Sequence, residues 1–180
     1  MNKFTKAGIA GLFLSLTAVM ASCGGSSTST TDTAAVTADV YPVTVGDLTL
    51  DAQPTSIISL SPSATEMLYA IGAGSQVVAV DEYSNFPAEA VALGTKLSGF
   101  EPNIEAISGY SPDLVIVSYD PGSLVEQLKT LNIPVFIAGA AMSLENVYEQ
   151  IEQLGVLTGH SQAAIEVSKT LQTGIEDAVA

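Results

Sequence analysis

From residue 41 onward, short apolar runs separated by turn chemistry set the pattern of the chain. Val43-Thr44-Val45 and Leu48-Thr49-Leu50 flank Gly46-Asp47, which predicts a hairpin. Ser56-Ile57-Ile58-Ser59-Leu60 is a short buried-strand run closed by Ser61-Pro62. Ser63-Ala64-Thr65-Glu66 then has the form of a capping box ahead of Met67, Leu68 and Ile71, with Gly72 and Gly74 stopping the helix. Gln76 to Val80, Asp113 to Val117 and Pro134 to Ile137 are further strand runs. Between the last two, Ser123-Leu124-Val125-Glu126 repeats the capping pattern and heads a helix expected to end near Asn132.

Continuous apolar strands alternating with capped helices predict an α/β fold, a doubly wound parallel sheet covered on both faces. Ligands of such sheets sit beyond the carboxyl ends of the strands. Here those ends are Ser61-Pro62-Ser63, Asp81-Glu82-Tyr83 and Ser118-Tyr119-Asp120. Residues 41–142 form this lobe. From Ser143 the period becomes helical through Leu144, Val147, Ile151 and Leu154, with a break at Gly159-His160-Ser161. Ser161 is expected to cap a further helix through Ile165, Leu171 and Ile175, so residues 143–180 are helical. That helix still runs at Ala180 without a C-cap, the pattern expected of a truncated chain.

The first residues follow another logic. Lys3 and Lys6 precede an apolar stretch from Ala7 to Met20, shorter than the ~20 residues that span a bilayer. Small residues and Cys23, the one cysteine, follow. Residues 1–22 read as a lipoprotein signal peptide whose lipobox ends at Cys23, with Met20 where Leu is usual. A lipid on Cys23 would anchor the mature chain at a membrane surface. Residues 23–40, rich in Ser, Thr, Gly and Ala, read as a flexible tether.

Composition then narrows the function. The chain of 180 residues carries 5 Lys, no Arg and 19 acids, a net charge of -14. Loss of residues 1–22 removes 2 Lys and no acid, leaving -16. Nucleic acid is excluded as a partner, since phosphates are held by clustered Lys and Arg. One Cys and one His exclude a disulfide framework and a Cys/His zinc cluster. No metal or cofactor is expected. A Cys23–His160 dyad would need the lipid-bearing residue, and His160 reads as a polar junction residue.

The remaining candidates each have an ordinary reading. Gly72-Ala73-Gly74 ends a helix and precedes a strand, the reverse of a dinucleotide loop. Glu66 is accounted for by backbone capping. Phe86 and Tyr110 are expected to be packing residues. Tyr83, Phe100 and Tyr119 fall at strand ends or in loops, where pocket wall and loop packing are equal readings. Glu105 stands in the first turn of a short helix capped by Asn103, where a carboxylate suits the helix dipole.

Four segments in order carry a family likeness. Ser59-Leu60-Ser61-Pro62-Ser63-Ala64-Thr65-Glu66-Met67-Leu68 resembles the first strand–helix motif of periplasmic binding proteins for cobalamin and ferric siderophores. Asp81-Glu82-Tyr83-Ser84-Asn85-Phe86-Pro87 resembles the matching loop of the cobalamin members. Pro102-Asn103-Ile104-Glu105, then Ser111-Pro112-Asp113-Leu114-Val115-Ile116, resemble the Asn-x-Glu helix and the Pro-Asp-Leu-Val strand.

The likeness implies a non-catalytic, two-lobed protein with a connector helix, here beginning near Ser161 with the second lobe absent. It implies an ABC-type permease as partner, docked through Glu105, and a corrinoid or ferric siderophore as ligand. Tyr83 falls at an aromatic position near the corrin; Ser61, Asp81, Phe100 and Tyr119 are further ligand candidates from their strand-end or loop places. The absence of Arg and the presence of Tyr and Phe favour a corrinoid, held by stacking, over an anionic siderophore or haem. Rival classes are a small hydrolase or transferase, for which no nucleophile elbow is visible, and a cell-envelope interaction module, which predicts no pocket at the strand ends.

Overall fold

The computed structural model describes residues 39–180; the expected signal peptide, Cys23 and nearly all of the tether lie outside the described residues. Strands β1 (Val43–Val45) and β2 (Leu48–Leu50) pair antiparallel about Gly46, whose φ of +56° is a turn conformation that glycine adopts without strain. Four strands then form a parallel sheet: β3 (Ile57–Leu60), β4 (Val77–Val80), β5 (Leu114–Val117) and β6 (Val135–Ile137), in the order β4-β3-β5-β6. Helices α1 (Pro62–Ala70), α2 (Ala88–Ala92), α3 (Ile104–Ser108) and α4 (Leu124–Thr130) lie in the connections. The longer α5 (Leu144–Thr158) and α6 (Ser161–Val179) follow.

Side chains alternate across the sheet, so one strand feeds two cores. Ile57, Leu114 and Ile116 pack with Leu68 of α1 and with Ile151, Leu154 and Leu157 of α5. Ile58, Leu60, Val115 and Val117 pack on the other face with Ile107 of α3 and with Leu124 and Leu128 of α4. Each fully buried Leu or Ile stabilises by about 1.5–3 kcal/mol. The expected α/β class, with helices on both faces of a parallel sheet, is what the chain forms. A register shift between Ile57 and Ile58 puts Ile57 opposite Val77 but Ile58 opposite Ala79. Val77 and Val80 consequently share one core while Ala79 joins the other.

Three helix caps differ from expectation. The cap of α1 is Ser61, not Ser63: its Oγ accepts from the Ala64 N–H, and Pro62 occupies the first helical position. Proline fits there because its fixed φ is helical and its missing N–H is one the helix would leave unpaired. Glu66 therefore lies beyond the capping position and is exposed. Ser123 adopts φ +62° and caps nothing; Asp120 Oδ1 accepts from the Val125 N–H at 3.0 Å instead. Ser161 is the first residue of α6, and its N–H donates to Asp39 Oδ2 at 3.0 Å. Asn103 does cap α3, accepting from the Ala106 N–H at 2.9 Å.

The α5–α6 junction is tied to the lobe. Gln53 and Gln76 Nε2 donate to the Thr158 carbonyl at 2.8 and 3.1 Å, and His160 Nδ1 lies 2.9 Å from the same oxygen. Tyr41 donates its hydroxyl to Leu157 O at 3.1 Å. Burial, reinforced by the Asp39 charge, pushes its phenol up to about 12. A Cβ at Gly155 would overlap Ala164 and the His160 carbonyl, so glycine sets how closely α5 and α6 approach. His160 is thus a junction residue, as expected.

Asp113 ties the entries of β3 and β5. Its Oδ2 accepts from Thr55 N and Oγ1, both at 2.8 Å, and from Ser56 N at 3.1 Å. The Thr55 backbone N–H, more than the opposing effect of burial, holds its carboxyl below the usual value, helped by the Thr55 hydroxyl and Ser56 N–H. A depressed folded pKa means a contribution complete above the unfolded value of about 3.9 and lost as pH falls through the folded one. Because the group is exposed, Asp113→Ala should lose about 1 kcal/mol at pH 7. Urea unfolding at pH 7 and at successively lower pH should show that difference, shrinking as pH falls below about 3.9.

Candidate ligand-binding cleft

Strands β3 and β5 are neighbours, yet the chain leaves β3 towards β4 on one side and leaves β5 towards β6 on the other. At such a switch point the connections diverge and open a crevice beyond the carboxyl ends of the strands. A cavity of about 480 Å³ lies there. Leu60 and Pro62 line it at the end of β3, Asp81 and Tyr83 beyond β4, and Ser118 and Tyr119 beyond β5. Gly99 and Phe100, ahead of α3, complete the wall. A Cβ on Gly99 would come within 2.9 Å of the Leu60 carbonyl and 3.2 Å of Asp81 Oδ2, so only glycine lets this loop approach so closely.

Three aromatic rings form a continuous wall. Tyr83 and Phe100 meet edge to face, with centroids 5.6 Å apart and planes at 84°. Phe100 and Tyr119 are tilted at 48° with centroids 6.3 Å apart. All three remain exposed, by 54%, 61% and 44% respectively. Such a contiguous patch of exposed rings is a candidate binding surface.

Beneath the rings lies a buried polar chain. Asp81 is 3% exposed, and its Oδ1 accepts from Ser84 Oγ at 2.6 Å. Ser84 Oγ is 2.9 Å from Thr65 Oγ1, which is 2.8 Å from Ser59 Oγ. These hydroxyls hold the carboxylate in one orientation. Ser61 is completely buried, and its hydroxyl is engaged by the α1 cap and Ser63 Oγ. Of the five ligand candidates, the fold therefore brings Asp81, Tyr83, Phe100 and Tyr119 to one cavity and leaves Ser61 below it. Pro62 and Ser118 fall in the strand ends that the sequence marked, though neither was singled out as a ligand candidate. Sequence reasoning missed Leu60 and Gly99 in the lining, and the Ser59, Thr65 and Ser84 hydroxyls that support Asp81.

Other candidates lie apart from this cleft. Glu105 is exposed on the first turn of α3, which its Asn103 cap holds in place. Phe86 is exposed rather than packed, beside a separate groove with Tyr69, Glu66 and Glu89. In its loop Ser84 takes the buried place, and Asn85 and Phe86 are left outside. Tyr110 is likewise exposed, at the end of α3. Burial, then the Glu89 charge, raises the Tyr69 phenol above its ordinary value. Among the described residues no group of His, Cys, Asp and Glu is arranged to hold a metal ion. No helix among them is long and apolar enough to cross a membrane.

A parallel α/β lobe with an aromatic cleft at its switch point has the architecture of a solute-binding lobe. Residues 57–180 match the family described as periplasmic binding protein, and the chain belongs to that family. It is 31% identical over 181 residues to an uncharacterized ABC transporter substrate-binding lipoprotein of Bacillus subtilis, covering 96% of this chain and 57% of that one. It is 32% identical over 151 residues to a cobalamin-binding protein of Halobacterium salinarum, covering 77% and 41%. The crystal structure of the periplasmic vitamin B12-binding protein of Vibrio cholerae superposes with a TM-score of 0.61 at 29% identity, over 69% of this chain and 49% of that one. The chain spans about half the length of the curated relatives it matches.

Proposed function

We propose that this chain supplies one ligand-binding lobe of a lipid-anchored substrate-binding protein that captures a corrinoid and delivers it to an ABC-type permease. The observation that carries this reading is the Tyr83–Phe100–Tyr119 wall at the switch point. Flat, exposed rings hold a large flat ligand by stacking and apolar contact, without chemistry on it. A corrinoid is favoured over a ferric siderophore because the chain contains no Arg to clamp an anionic chelate. The relatives named for cobalamin and vitamin B12 support the same choice. The role is binding, not catalysis, and Glu105 is the contact to the permease.

Thermal unfolding of the intact protein with cyanocobalamin or a ferric catecholate siderophore, an anionic chelate, tests the ligand class. A ligand that binds only the folded state stabilises it by about 2.7 kcal/mol at a hundredfold excess over its Kd. Cyanocobalamin should raise the melting temperature, and a rise with the siderophore alone would reassign the ligand. The anchor has its own test. Cys23→Ser should move the protein from the membrane fraction to the soluble one and remove an acyl mass from the mature N-terminus. Unchanged partition with no acyl adduct on the parent would remove the anchor from the account.

A further inference from the structure

The cleft contains one charged side chain, Asp81, and no basic residue among those lining it. A carboxylate this deeply buried normally faces a cation or several donors. Here Oδ1 is taken by the Ser84 hydroxyl, while Oδ2 has no hydrogen-bond partner among the described residues. Oδ2 lies 3.2 Å from where Gly99 would carry a Cβ, so the missing side chain leaves that oxygen open to the cavity. The Ser59–Thr65–Ser84 hydroxyls keep it pointing there.

We infer that Asp81 selects the ligand by charge: its free oxygen accepts a hydrogen bond from an N–H donor on the ligand and repels a ligand that presents a carboxylate at that point. The inference rests on the corrinoid reading above and sharpens it. The ligand class becomes a large flat molecule bearing amide or other N–H donors beside the aromatic wall, neutral or cationic at that edge. A buried carboxylate accepting an N–H gains a charge-assisted bond. Facing a second carboxylate, it would suffer like-charge repulsion in a poorly solvated site.

The test compares cyanocobalamin with its peripheral monocarboxylic acids, in each of which one propionamide has become a carboxylate. Binding to the intact protein is measured near pH 7 for the parent and for Asp81→Asn. The parent should reject at least one monoacid by about tenfold or more, and Asp81→Asn should shrink that ratio to within about threefold. Ser84→Ala keeps the charge but frees the carboxylate, so the rejection should persist while affinity for cyanocobalamin falls about threefold. Thermal unfolding of each variant shows that the comparison is made on folded protein, and Asp81→Ser, which also removes the charge, carries the test if Asp81→Asn does not fold. Corrinoid binding with no monoacid rejected by the parent, or with an unchanged ratio once the Asp81 charge is removed, would overturn the assignment of Asp81 alone. A folded parent that binds no corrinoid would overturn the functional reading and this inference with it.

Discussion

Phe100→Ala should lower the affinity of the intact protein for cyanocobalamin by about 30-fold while leaving its stability nearly unchanged. Phe100 is the middle ring of the wall, touching Tyr83 on one side and Tyr119 on the other. Truncating a central aromatic anchor costs about 2 kcal/mol or more, and each 1.4 kcal/mol is tenfold in Kd. In the unliganded protein the ring is 61% exposed and contributes little to the core. A surface truncation of this kind shifts stability by about 0.5 kcal/mol at most. Equilibrium binding and urea unfolding on the same preparation separate the two effects. A large stability loss with proportionate loss of binding would make Phe100 a packing residue and remove the wall as a ligand platform.

The second large effect is expected in transport. Glu105→Arg should abolish most cobalamin uptake by cells while leaving ligand affinity as it was. Glu105 stands exposed on the first turn of α3, away from the cavity lining. Its carboxylate would lose water only when it meets a cation on the permease, and such pairs steer association and set register. Losing one partner of a buried charge pair costs about 2–5 kcal/mol, and a rim pair much less. Glu105→Ala should therefore reduce uptake, and reversal to Arg should reduce it further, most at low ionic strength where screening is weak. The competing account is support of the helix dipole, worth about 0.3–1 kcal/mol of stability. Normal uptake with a lowered melting temperature in Glu105→Ala would favour that account and end the docking role.

Where the sequence was legible, the reason is local. The strand runs are short blocks of Ile, Leu and Val whose alternation feeds two faces, and the Gly46-Asp47 turn needs no partner beyond its own strands. Asn103 caps from within its own turn. Capping was misread where two patterns overlapped. Ser61 and Ser63 both stand at the start of the same helix, and the decision belonged to Pro62 between them. At Asp120 and Asp39 the caps come from outside the local motif, the latter across 122 residues. No period or spacing encodes that reach.

The candidate site divides in the same way. Tyr83 and Tyr119 could be placed at strand ends from sequence because their strands were visible, while Phe100 was a loop aromatic. Their meeting depends on the order β4-β3-β5, which the apolar pattern does not specify. Gly99 and the Ser84–Thr65–Ser59 chain act through contacts between separate loops and α1, so they carry no linear signature. Ser61 looked like a cleft residue for a sound topological reason, but the helix it caps took its hydroxyl.

The most direct measurement is a crystal structure of the intact protein with cyanocobalamin bound. The account predicts the corrin against Tyr83, Phe100 and Tyr119, with an amide nitrogen within about 3 Å of Asp81 Oδ2. A corrin seated elsewhere, such as the groove beside Phe86 and Tyr69, would contradict it.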